Sequence, residues 1–117
     1  TQKAILDYLN TIGAVAVKFN NFGFRKVDGS FIPPRELGVS DILACYKGRF
    51  IAIEVKSTNK KPSVVQADFL ERVQEAGGVG ICTDNIDDVI NMMVRLEVNP
   101  SLLGVKKPHP WRRYKNL

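Results

Sequence analysis

The chain has 117 residues and a formal net charge of +5, with 44% hydrophobic and 25% charged residues. That length and composition fit one packed domain and set aside a disordered, fibrous or two-domain chain. No apolar run approaches the roughly 18 to 20 residues that span a bilayer, and no signal segment opens the chain, so a cytoplasmic address with no membrane partner is expected.

The first predicted element is an amphipathic helix over residues 2–12, where Ile5, Leu6, Leu9 and Ile12 recur at helical spacing and Gly13 supplies a stop. Residues 14–19, "AVAVKF", form a short β-branched run that reads as a strand. The segment that follows is punctuated by Asn, Gly, Asp and Pro-Pro, which predicts irregular backbone with short strand pieces and a turn at Asp28-Gly29. Two strands are predicted at 41–46 and 49–56 around a tight turn at Lys47-Gly48. A helix then runs from Pro62-Ser63 to about Ala76, with Val65, Phe69, Leu70 and Val73 along one face and Gly77-Gly78 closing it. "VGICT" at 79–83 reads as a buried strand. The last helix, 85–97, repeats Ile86, Val89, Ile90, Met93 and Val94. The class is α/β with a mixed sheet, because a helical crossover favours a parallel pair and the Lys47-Gly48 hairpin is antiparallel.

Residues 1–98 form the predicted domain and 99–117 a basic C-terminal tail. Residues 1–100 hold twelve Lys or Arg against twelve Asp or Glu, so the excess charge comes from Lys106, Lys107, Arg112, Arg113 and Lys115, beside Trp111 and Tyr114. Cations interleaved with rings suit a nucleic-acid backbone, through counterion release and stacking; a solvated arm is the competing reading. His109, between Pro108 and Pro110, is given no role. Cys45 and Cys82 lack zinc-site spacing and are expected to be buried free thiols.

The hairpin raises a sharper question. If Tyr46 pairs with Arg49, paired residue numbers sum to 95 and Asp41 falls opposite Glu54, with Ala52, Glu54 and Lys56 on one face and Ile51, Ile53 and Val55 on the other. Two carboxylates about 4 Å apart repel by about 4 kcal/mol at an effective dielectric of about 20. Lys56 and a hard divalent cation are both candidates to offset this. The alternative is a surface ion-pair cluster on a half-exposed hairpin. The register depends on Lys47, which is not a favoured residue at the first position of a tight turn.

Asp41, followed by Glu54-Val55-Lys56 in the next strand and then a helix, resembles the PD-(D/E)XK nuclease signature, with Ser40 in place of its Pro. More narrowly, "GVSDILACYKGRFIAIEVKS", Gln66 in "SVVQADFLERVQEAGG" and "VGICTDNIDDVINMM" resemble the virus-type replication-repair nuclease (VRR-NUC) domains, kin to Holliday junction resolvases. The resemblance covers residues 38–93 well and 2–24 loosely. It implies a restriction-endonuclease-like αβββαβ core with a mixed sheet flanked by helices. It also implies a Mg2+-dependent endodeoxyribonuclease, with Mn2+ able to substitute and no nucleotide cofactor.

In that reading Asp41, Glu54 and the Val55 carbonyl bind the metal, Lys56 stabilises developing negative charge, and hydrolysis leaves a 5′-phosphate. Gln66 orients water or supports the site, although Ser63 to Gln66 is equally a capping box. Asn20 and Asn21 resemble a turn brought near the substrate; an ordinary loop is the alternative. The family often carries an acid on the first helix. Here the candidates are Asp7, Gln2 in its place, or a residue before Thr1. The expected partner is branched DNA, cut by a homodimer of C2 symmetry, in replication, recombination or repair in a virus or prokaryote, and "INMMV" on the last helix is offered as an apolar dimer face. Competing readings are a sequence-specific restriction or nicking endonuclease and a non-catalytic nucleic-acid-binding module on the same fold.

Overall fold

The computed structural model describes residues 1–19, 24–32 and 38–98. Along the chain lie α1 (Gln2–Thr11), β1 (Val15–Lys18), β2 (Phe24–Arg25), β3 (Phe31–Ile32), β4 (Ile42–Tyr46), β5 (Arg49–Val55), α2 (Val64–Glu75), β6 (Val79–Thr83) and α3 (Ile86–Val98). Four strands form one sheet in the order β1-β4-β5-β6, antiparallel except for the β5–β6 pair. The mixed α/β sheet expected from the sequence is therefore present. The punctuated segment contributes a small separate hairpin, β2–β3. Its turn is held by Lys26 N–H donating to Ser30 O at 2.7 Å and by the Asp28 carboxylate, which accepts from the Ser30 N–H and hydroxyl.

The β4–β5 hairpin has the register that sums to 95, from Tyr46↔Arg49 to Ile42↔Ile53. Lys47 and Gly48 both take positive φ, 50° and 80°, the pattern of a two-residue turn whose twist matches the flanking strands. Lysine tolerates this position beside a specific partner: Lys47 pairs with Glu97 of α3, which also accepts from the Tyr46 hydroxyl at 3.1 Å.

Alternation along the strands divides the core in two. Ile42, Ala44, Ile51, Ile53, Val79 and Ile81 face α1 and α3, and pack on Ile5, Leu9, Val89, Met92 and Met93. Ala52 and Cys82 face α2 and pack on Leu70 and Val73. Met92 and Met93 of the "INMMV" stretch are thus spent on the protein's own core, whereas Val94 stands exposed. Val65, expected on the inner face of α2, is half exposed. Cys82 is buried as expected but Cys45 is exposed, a correction with a simple cause. Cys45 points to the α2 side of the sheet beside β1, and its cross-strand neighbours Val15 and Phe50 are also exposed there.

Glycines let α2 lie close on the sheet. A Cβ on Gly80 would sit 2.9 Å from the Leu70 carbonyl oxygen, and one on Gly78 would sit 2.9 Å from the Val73 side chain. The helix starts with a full capping box at Ser63 and Gln66, and Gly77, at φ +97°, follows its C-terminal turn. Among the described residues no helix is long and apolar enough to cross a membrane.

Candidate active site

The sheet topology gathers one set of strand ends. β1 ends at Lys18, β4 begins after Asp41, β5 ends at Val55 before Lys56, and β6 ends at Thr83. Asp41 continues the ladder beyond the last paired residue: its carbonyl accepts from Phe19 N–H at 2.8 Å, and its Oδ2 accepts from Val55 N–H at 3.0 Å. The carboxylate is thereby pinned beside the end of β5, half-buried. Val55, expected as a carbonyl ligand, is tied to Asp41 through its N–H.

Glu54 lies under α2 with 2% of its surface exposed. That burial removes the reading of a solvated surface ion-pair cluster. Gln66 Nε2 donates to Glu54 Oε2 at 3.0 Å, and Lys56 Nζ lies 3.9 Å from the same oxygen with its side chain 27% exposed. The other oxygen, Oε1, is buried with no hydrogen-bond partner among the described residues, as is the hydroxyl of Ser40. Burial and then the negative charge of Asp41 push the Glu54 carboxyl up to about 8, against the pull of Lys56. The arrangement is left short of positive charge.

Those features fit a divalent cation. The donors are hard oxygens, one of them orphaned in a buried carboxylate, and the negative charge exceeds what Lys56 offsets. Among the described residues no third His, Cys, Asp or Glu joins the two acids. Two carboxylates suit Mg2+, which keeps several waters and takes few protein ligands, better than Ca2+, which wants six to eight oxygens.

Gln66 serves two partners through different atoms. Its Oε1 accepts from Ser63 N–H at 2.8 Å to complete the cap, while its amide nitrogen holds Glu54. Gly38 fixes this approach. It has φ +85°, and a Cβ there would lie 2.4 Å from the Val65 carbonyl oxygen, so the segment leading into Asp41 abuts the first turn of α2.

Asp7 pairs with Lys3 on an exposed face of α1 at 2.8 Å and is not brought to the two acids. Gln2 lines a cavity of about 350 Å³ with Lys3, Lys18 and Ile42, the residue after Asp41. Asn20, Asn21 and the tail residues Lys106, Lys107, Arg112 and Arg113 lie outside the described residues. A cavity of about 570 Å³ at the opposite end of the sheet, lined by Lys47, Arg49, Phe50 and Gly77, holds no carboxylate pair.

Sequence reasoning missed Gln74 and Thr83. The buried Gln74 accepts from Gly80 N–H at 2.9 Å through its side chain, joining α2 to β6. Thr83 donates to Asp88 at 2.6 Å, and Asn85 accepts from Asp88 N–H at 2.9 Å in the first turn of α3. Polar residues at strand ends are weak sequence signals, since turns select the same types. No protein-family model matches the chain, and no curated protein matches it.

Proposed function

We propose that this chain is a metal-dependent DNA endonuclease of the PD-(D/E)XK type, close in kind to the VRR-NUC domains, and selective for branched DNA. The observation that carries the reading is the buried, half-satisfied carboxylate of Glu54 beside Asp41, at the sheet end where Lys56 and Gln66 also meet.

Asp41 and Glu54 would hold Mg2+ or Mn2+, which when bound supplies charge neutralisation at a phosphate and an acidified water. Each protein group has a separable task. The Val55 N–H orients Asp41. Gln66 occupies Oε2 of Glu54 and leaves Oε1 for the cation. Lys56 is partly exposed at the rim, where its ammonium meets an incoming phosphate and stabilises the charge that develops during hydrolysis. Backbone and charge contacts of this kind carry no base information, which suits selection by DNA shape. A four-way junction presents two symmetric strands, so the proposal includes a C2 homodimer.

Labelled four-way junction, flap and plain duplex, incubated with Mg2+, Mn2+ or EDTA, test the reading with wild type beside Asp41→Ala. Metal-dependent cutting of branched DNA, lost in the variant, is expected. Binding of DNA without cutting under every condition would replace the enzyme with a non-catalytic binding module.

A further inference from the structure

The strand order sorts charge along the sheet end that carries the two acids. On the β6 side lie Asp84 and the first-turn residues Asp87 and Asp88 of α3. On the β1 side lies Lys18, paired in the ladder with Ile42, the residue after Asp41. Lys18 lines the cavity of about 350 Å³ formed with Thr1, Gln2, Lys3, Leu6 and Ile42. The two lysines there differ. Lys3 is matched by Asp7 at 2.8 Å, whereas Lys18 is exposed and its ammonium has no ion pair among the described residues.

Two strand spacings separate β1 from β5, about 10 Å in all. The Phe19 N–H to Asp41 carbonyl bond extends the β1–β4 pairing to the edge of the site, so Lys18 starts from a fixed point. Lys18 opposes Ile42 and leaves the sheet on the α1 face, whereas Glu54 lies on the α2 face, so its stem serves a strand that lies across the sheet end. A polyanion lying across this end meets repulsion over β6 and an unmatched cation over β1. Lysine is a compact charge on a flexible stem, suited to a phosphate whose position is set elsewhere.

We infer that Lys18 binds a backbone phosphate of the DNA next to the scissile one, so that the strand crosses the site from the β1 side and away from the Asp84, Asp87 and Asp88 edge. This rests on the nuclease reading. Lys18 is a positioning residue in it: it touches the substrate backbone and no reacting atom.

The test uses the full chain carrying Asp41→Ala, which should bind and not cut, with fluorescent four-way junction titrated at several KCl concentrations. Adding Lys18→Ala is expected to weaken binding several-fold at low salt and to reduce the slope of log K against log salt by about 0.9, the loss of one phosphate contact. Lys18→Arg should restore the slope. Lys47→Ala removes the same charge at the hairpin turn and should leave the slope in place. An unchanged slope in Lys18→Ala, or an equal drop in Lys47→Ala, overturns the inference and leaves the nuclease reading standing. Failure of the Asp41→Ala chain to bind any DNA overturns both.

Discussion

The side-chain amide of Gln66 bridges the N-terminus of α2 and Glu54, accepting from Ser63 N–H at 2.8 Å and donating to Glu54 Oε2 at 3.0 Å. Substitution separates the two bonds. Gln66→Glu keeps an acceptor for the capping box but sets a second carboxylate against Glu54, whereas Gln66→Ala loses both contacts. Both variants should cleave at least about tenfold more slowly, the loss expected when a group that orients a metal-binding carboxylate is removed. In Gln66→Ala, the lost cap should also cost about 1 kcal/mol in urea unfolding. A Gln66→Glu protein with wild-type cleavage would reduce Gln66 to a cap.

Glu54 predicts a pH dependence of the metal-free protein. Its carboxyl rises from 4.5 to about 8 on folding, so between those values the unfolded chain has released a proton that the folded chain retains. Stability should fall as pH rises through that window and level off above it, with a cost on the order of 3 kcal/mol at pH 7. Urea unfolding in EDTA from pH 5 to 9 measures this. Glu54→Gln should flatten the profile and unfold at higher urea at pH 8, and added Mg2+ should stabilise wild type but not the variant. Parallel profiles for the two proteins would contradict the burial of Glu54.

Gly38 and Gly13 form a matched pair. Both have positive φ, +85° and +100°, but a Cβ on Gly13 meets nothing within 4 Å while one on Gly38 collides with Val65 backbone. Gly13→Ala should cost only the conformational strain, about 1 to 2 kcal/mol. Gly38→Ala should cost more, and should slow cleavage because the helix carrying Gln66 must move. Equal destabilisation and equal activity in the two variants would show that the contact does not matter.

The thiols give a rapid check of the sheet. Cys45 is exposed and Cys82 has no exposed surface. A colourless-to-coloured thiol reagent should titrate one cysteine in the native protein and the second only in denaturant. Two fast thiols in the native state would mean that α2 does not cover β6.

Local chemistry was legible in the sequence, and long-range pairing was not. The hairpin register followed from the position of Lys47-Gly48, because in a two-residue turn the pairing is arithmetic. The capping box at Ser63 and Gln66 was equally local. Cys45 was misread because alternation tells which side of the sheet a residue takes, but not whether a helix covers that side. Lys18 escaped notice for a related reason: its place opposite Ile42, one residue after Asp41, depends on β1 pairing with β4 across 24 residues, and no local pattern encodes that partner. Val65 was assigned inward from a helical pattern of apolar residues, but α2 turns its inner stripe toward Leu70 and Val73.

Where α2 meets the sheet, main chain comes close to main chain at Gly38 and Gly80, and Gly78 admits the Val73 side chain. The reach from Gln66 to Glu54 is therefore gauged by missing side chains more than by the fit of large ones. A gap of that kind cannot be widened by small degrees, since the first carbon added already strikes the helix. The opposite surface of α2 is under no such constraint. Val64, Asp68, Arg72 and Glu75 stand exposed there, so dyes or affinity handles placed on this outer stripe can report on the site while leaving its dimensions alone.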